Sequence, residues 1–262
     1  MDGEITQDAL LGGRVRLAQP KAGFRAAIDP VLLAAAVPAV GGETILDAGS
    51  GTGAAALCLA VRVPGADVTG IEIDPALAAL ANANAAENGL VDRVRFIAGD
   101  LFAPPPEIIG TPFNHVFANP PYLAVGAGSP SPDPGRRRAT VEGAGGLAAW
   151  LDACLRFLRP EGTLTLIHRA DRLDAVLALL AGRAGLTPRA SYDAPGPVRA
   201  GGIVVFPLWP GIGKAAKRVI VVARSGSAAP LEIKPGLVLH GPGGAYTPEA
   251  EAILRAGRAI RF

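Results

Sequence analysis

Asn119-Pro120-Pro121-Tyr122 is the stretch of this chain whose residue types point to the most specific chemistry. An NH2 group on a purine ring or an amide is a weak nucleophile, because its lone pair is delocalised. To attack, its nitrogen must become pyramidal, and its two N–H donors need two fixed acceptors. The side-chain carbonyl of Asn119 supplies one and the backbone carbonyl of Pro120 the other. Consecutive prolines lock φ and restrict the residue before them, so both acceptors are held before a substrate arrives. Tyr122 adds an aromatic face on which a planar group can stack. No charged base is required, since the nitrogen turns strongly acidic as its new bond forms. The plainer reading is a Pro-rich turn with a capping Asn. The rarity of the run and its place directly after a strand favour the chemical one.

A second constellation lies upstream, in Ile45-Leu46-Asp47-Ala48-Gly49-Ser50-Gly51-Thr52-Gly53. It ends one strand-like run and opens a helical one, where ligands of open α/β sheets bind. Gly49, Gly51 and Gly53 permit turns with positive φ and close approach to a ligand, and Asp47 is grouped with them on the cofactor side. Glu72 follows Gly53 by 19 residues and ends the next strand, where it can accept from both hydroxyls of a ribose. Asp100 ends the third strand, placed to accept from an adenine amine with Leu101 or Phe102 against the ring. Taken alone the turn is ambiguous: Gly49-x-Gly51-x-x-Ala54 also satisfies a relaxed dinucleotide fingerprint, so a nicotinamide cofactor competes until the Asn-Pro-Pro-Tyr run is counted.

The elements that must position these residues alternate in type. Residues 44–48, 68–73, 94–98, 115–118 and 163–168 read as strands, and residues 54–63, 75–87, 147–158 and 172–182 as helices. Asp29-Pro30 reads as the cap and first position of an earlier helix closed by Gly41-Gly42. Residues 203–208 and 218–223 are two last strands whose linker is too short for a helical crossover, so they should pair antiparallel. This predicts one α/β domain with a seven-stranded, mostly parallel sheet whose last strand is antiparallel. Residues 1–43 would form a cofactor-side cap, 44–224 the sheet core, and 225–262 an extension with one helix at 248–256. Residues 185–201 look like a loop.

The Asn-Pro-Pro-Tyr run resembles that of the amino-methyltransferases, which act on adenine N6 in DNA and RNA, guanine N2 in ribosomal RNA, or glutamine N5 in release factors. The resemblance implies a Rossmann-like class I methyltransferase fold and S-adenosyl-L-methionine as cofactor. Residues 23–33, the hairpin at 216–221 and the tail segments 236–240 and 246–254 are similar to bacterial tRNA(Val) anticodon-loop adenine-N6 methyltransferases. That implies tRNA as partner and substrate, methylated by direct SN2 transfer. It also implies a role for Asp29 near the methionine moiety, where the residue alone would be only a helix cap. Two places depart from the family: residues 185–201 look longer than its usual link, and the stretch after Arg138 does not align. Release-factor enzymes usually carry a helical domain ahead of the cofactor motif, whereas 43 residues precede the first strand here. A non-enzymatic cofactor-binding module is disfavoured by the presence of Asn119 and Tyr122.

Composition restricts the remaining options. The formal charge is +2, so a nucleic-acid surface would have to come from local clustering. Arg136, Arg137 and Arg138 follow a Ser/Pro-rich loop beside the expected site mouth, and Lys214, Lys217 and Arg218 sit on the final hairpin. Both groups are candidates for phosphate contact, or simply solvated faces. His115, His168 and His240 lack metal-ligand spacing, so no metal is expected and packing roles are preferred. Trp150 and Trp209 are expected to pack rather than stack on bases. Cys58 and Cys154 fall in apolar helical patterns, as buried thiols in a reducing compartment would. No apolar run reaches membrane-spanning length and no targeting segment is visible, so a cytoplasmic protein is expected.

Overall fold

Hydrophobic residues that occur in adjacent pairs along a strand send one side chain to each face, and this pattern runs through the centre of the molecule. Ile45, Phe117, Ile167 and Ile220 pack into one apolar cluster, while their chain neighbours Leu46, Val116, Leu166 and Val221 pack into another. The computed structural model describes residues 4–22, 25–121, 145–181 and 200–262. Tyr122 and Arg136 to Arg138 lie outside the described residues, as do the loop residues 123–144 and 182–199.

Among the described residues the chain begins with a hairpin of β1 (Ile5–Leu10) and β2 (Val15–Pro20), then α1 (Asp29–Ala36). There follow β3 (Thr44–Ala48), α2 (Ala54–Arg62), β4 (Asp67–Glu72), α3 (Pro75–Glu87), β5 (Val94–Ala98) and β6 (Phe113–Ala118). The second half supplies α4 (Gly146–Arg156), β7 (Leu158–Arg169), α5 (Leu173–Ala181), β8 (Ala200–Gly211), β9 (Arg218–Ser225), β10 (Glu232–Ile233), β11 (Leu237–His240) and α6 (Pro248–Leu254). The sheet runs β5-β4-β3-β6-β7-β9-β8, with β10 and β11 both paired to β8. The pairs β3–β4, β3–β6, β4–β5 and β6–β7 are parallel, and β9 is antiparallel to both its neighbours. Helices α1, α2 and α6 cover one face, and α4 and α5 the other. This is the Rossmann-like class I methyltransferase fold expected from the sequence.

Several details differ from expectation: the hairpin of β1 and β2 was not foreseen, and β8 begins at Ala200, inside the stretch 185–201 read as a loop. Among the described residues the sheet has nine strands rather than seven, because β10 and β11 of the tail add to β8 in parallel. They span only two and four residues, too short for an alternation to register. The first helix stops at Ala36 rather than at Gly41-Gly42, since Pro38 cannot extend it. Its cap position is Ile28, with no side-chain cap bond. Asp29 is the first helical residue, and its carboxylate accepts from Arg218 Nε at 3.0 Å.

Asparagine is a poor helix former, yet α3 carries several, and their bonds explain why. Asn82 accepts from the amide of Phe96 and donates to its carbonyl, stitching the helix to β5 as a strand would. Asn84 and Asn88 do the same for Ala18 and Arg16 of β2. Asn84, 2 % exposed, also donates to Thr52 O in the glycine turn at 2.9 Å. Replacing Asn84 with Ala would strip partners from both backbone groups of Ala18 and from Thr52. A loss of about 2–3 kcal/mol in chemical denaturation is expected.

Candidate active site

The glycine turn is shaped by bonds to the neighbouring strand. The amides of Gly49 and Ser50 both donate to Ile71 O, each at 3.0 Å. Gly49 has φ 76° and Gly53 φ 85°, and neither tolerates a side chain. A Cβ on Gly49 would lie 2.7 Å from the Trp150 ring, and one on Gly53 2.6 Å from the Phe96 ring. Gly51 shares the positive φ, and its amide donates to Glu72 Oε2 at 2.8 Å. The other oxygen of Glu72 accepts from the amide of Asp74 at 3.0 Å. Both oxygens are thereby fixed, and each keeps lone-pair capacity for a hydroxyl donor. Burial raises the Glu72 pKa, opposed by the Asp74 and Gly51 amides.

Asp47 is more extreme. It is 3 % exposed, and its Oδ2 is buried with no hydrogen-bond partner. Burial pushes its carboxyl up to about 8, resisted by the Ala56 amide and assisted by the charge on Glu72. Ser50 Oγ is a second buried oxygen without a partner. Both oxygens belong to residues that line a cavity, where a bound ligand or water can complete their bonding.

That cavity measures about 440 Å³. The carboxyl ends of β3, β4, β5 and β6 contribute Asp47, Gly49, Gly51, Glu72, Asp100, Leu101, Asn119 and Pro120 to its wall. Asp100 Oδ1 accepts from the Phe102 amide at 2.9 Å, leaving Oδ2 unbonded among the described residues. Pro20 and Ala26 close the cavity from the N-terminal segment, and Pro30 and Leu33 from α1. Most of the predicted site residues that the structure describes therefore meet in one place, although they come from four strand ends.

Not all do. Gly53 is absent from the wall and acts instead as the left-handed start of α2. Asp29 is absent too, with its carboxylate engaged by Arg218. Lys214 and Lys217 are exposed near the β8–β9 turn. Trp150 was missed as a site residue. It lines the cavity, covers Gly49 and meets Phe102 edge-on at a centroid distance of 6.0 Å. Its position on the apolar face of α4 is the only signal the sequence offers, and that signal reads as packing. Among the described residues no group of three or more His, Cys, Asp or Glu could hold a metal, and no helix is long and apolar enough to cross a membrane.

Residues 45–124 match the model of a methyltransferase domain, a span that opens in β3 and takes in the Asn-Pro-Pro-Tyr run. The cofactor is S-adenosylmethionine. The cavity fits it, since Glu72 offers two fixed acceptors for a ribose, Asp100 an open acceptor, and Asp47 a buried carboxyl for positive charge. The chain is 40 % identical over 130 residues to a tRNA1(Val) (adenine(37)-N6)-methyltransferase of Porphyromonas gingivalis, covering 49 % of this chain and 50 % of that protein. It is 37 % identical over 139 residues to a release factor glutamine methyltransferase of Moorella thermoacetica, covering 51 % and 48 %. The chain thus spans about half the length of these curated relatives. Among solved structures, a predicted O-methyltransferase of Agrobacterium tumefaciens superposes with a TM-score of 0.69 at 25 % identity, covering 89 % of this chain and 98 % of that one.

Two measurements test the S-adenosylmethionine site. Glu72→Ala should weaken cofactor binding by about 1–3 kcal/mol in calorimetry, as expected for lost acceptors of two hydroxyls. Unchanged affinity in a folded variant would move the site elsewhere. Asp47 governs pH dependence. Its folded pKa is raised, so stability present below the ordinary value of 3.8 is lost as pH climbs to about 8. Asp47→Asn removes that loss, so the variant's gain in melting temperature over the cofactor-free wild type should grow across this window. A constant difference would mean that Asp47 is ionised in the folded chain throughout.

Proposed function

We propose that this chain is an S-adenosylmethionine-dependent N-methyltransferase that methylates N6 of an adenine in the anticodon loop of a tRNA. The observation that carries the reading is the place of Asn119 and Pro120 in the wall of the cofactor cavity, directly after β6. When bound, the cofactor supplies a methyl group carried on a positively charged sulfur. The protein's task is to present a weak nucleophile in the correct orientation. The Asn119 side-chain carbonyl and the Pro120 carbonyl each accept one N–H of the adenine amine, which fixes the nitrogen lone pair. The proline ring after Asn119 limits its backbone, so this grip is preorganised. No side chain has to remove a proton before attack. Pro20, Pro30, Leu33 and Trp150 give the cavity apolar walls that keep water from the reacting nitrogen.

The tRNA substrate is supported by the Porphyromonas relative and by the resemblance of the chain ends to the tRNA(Val) group. A loop adenine suits the site, because leaving the stack costs less in a loop than in a paired stem. Methylation of a release-factor glutamine is the second reading, supported by the Moorella relative and by the same NH2 logic.

Asn119→Ala should retain cofactor affinity while turnover falls about 100-fold or more, as for loss of one preorganised polar group in a transition state. Normal turnover would reduce the motif to a structural turn. The substrate is decided by nucleoside analysis of tRNA from a deletion strain, which should lack N6-methyladenosine at the target. Undiminished N6-methyladenosine together with hypomethylated release factor would replace this reading with the glutamine one.

A further inference from the structure

β8 and β11 run parallel to the central strands, so their carboxyl ends open on the same edge of the sheet as the cofactor cavity. Two segments meet there. Residues 210–217, from the end of β8 through the turn, carry Lys214 and Lys217, and residues 237–248 carry His240 and Tyr246. Neither segment contains an Asp or Glu. Lys214 and Lys217 are exposed, and neither has an ion-pair partner among the described residues. This sets them apart from other cations of the same end. Arg218 is paired with Asp29, Arg169 with Asp171, Arg25 with Asp8 and Lys21 with Glu4. Among the described residues, Lys214 and Lys217 thus give this corner two cations with no acid beside them.

The corner also holds an ordered aromatic pair. His240 and Tyr246 stack with centroids 4.7 Å apart and planes 25° from parallel, and both rings are half-exposed. His240 Nδ1 lies 2.9 Å from Pro210 O, a carbonyl that can only accept. The Nδ1 hydrogen therefore points to Pro210, and in the neutral ring Nε2 is then an acceptor. Unpaired ammonium groups beside a flat ring pair and an open acceptor match phosphate, base and ribose 2′-hydroxyl respectively.

Distance decides what kind of molecule could use both places. Four strand spacings of about 4.8 Å separate the end of β6, which carries Asn119, from β11, or roughly 19 Å. A single nucleotide cannot span that, whereas several nucleotides of an RNA loop and its stem can.

We propose that the β8–β9 turn and the loop after β11 form an RNA-docking surface separate from the cofactor cavity, with Lys214 and Lys217 on phosphates and the His240–Tyr246 pair against an unpaired nucleotide. This rests on the RNA reading of the site. The test uses the full chain, saturated with S-adenosylhomocysteine, and a labelled RNA hairpin with a seven-nucleotide loop, titrated by anisotropy across a salt series. K214A/K217A should weaken binding about tenfold and lower the slope of log Kd against log salt by about 1.4, the counterion release of two single-strand phosphate contacts. H240A should weaken binding severalfold with the slope unchanged. Cofactor affinity should be unaffected in both variants. If wild type binds the hairpin and K214A/K217A binds it with the same affinity and slope, the surface is wrong and the RNA reading stands. If H240A binds normally, the aromatic pair has no part in docking. If wild type fails to bind the hairpin and methylates a glutamine-bearing release factor, the RNA reading fails and the surface with it.

Discussion

A carboxylate buried at the end of β4 sets the terms for the rest of the site. Removing that charge from water is costly unless strong donors replace the lost hydration. Glu72 finds them in the amides of Gly51 and Asp74, one from each flanking loop. Gly51 can aim its amide there only because it adopts a left-handed conformation. Asp74, held by the same carboxylate through its backbone, uses its side chain to cap α3 at Ala76. One side chain thus joins the turn after β3, the end of β4 and the start of α3.

The second constraint is the pairing of two acids in one wall. Burial raises the Asp47 carboxyl to about 8, and the charge on Glu72 in the same wall adds to the shift. A ligand bearing positive charge next to them relieves both burdens at once. The glycine turn then places the ligand, α3 braces the turn through Asn84, and β6 delivers Asn119 from the adjacent strand end. The opposite end of the sheet is closed by a polar network with no access to the cavity. There His115 Nδ1 lies 2.7 Å from Thr163 Oγ1, and its Nε2 lies 2.9 Å from Glu43 Oε2. A histidine with both nitrogens engaged between strands serves cohesion, in line with its reading as a packing residue.

The alternation of apolar strands with helical stretches was legible because each central strand is buried on both faces and leaves a continuous hydrophobic run. The strand-end carboxylates Glu72 and Asp100 were legible because their offsets from the glycine turn follow from one strand–helix–strand repeat. The N-terminal hairpin was not. β1 alternates between exposed and half-buried positions, and much of what holds β2 comes from asparagines on a distant helix. Trp150 was hidden for a similar reason, since its function as a cavity wall depends on a glycine about 100 residues earlier that has no side chain to exclude it. Asp29 shows the reverse, where a local rule for helix caps gave way to a long-range ion pair with Arg218.

The late insertion of β9 has consequences for how the chain acquires its structure. β7 ends at Arg169, yet the strand that covers its outer edge begins only at Arg218 and pairs with it from Arg224 opposite Thr163 to Arg218 opposite Arg169. Until those residues leave the ribosome, β7 presents a row of open backbone donors and acceptors flanked by apolar side chains, a ready template for aggregation. β8 cannot shield it, because in the finished sheet β8 reaches β7 only through β9. Closure of the sheet waits for the C-terminal third. A chain cut before Arg218 would therefore retain its cofactor motif and keep the outer edge of β7 open.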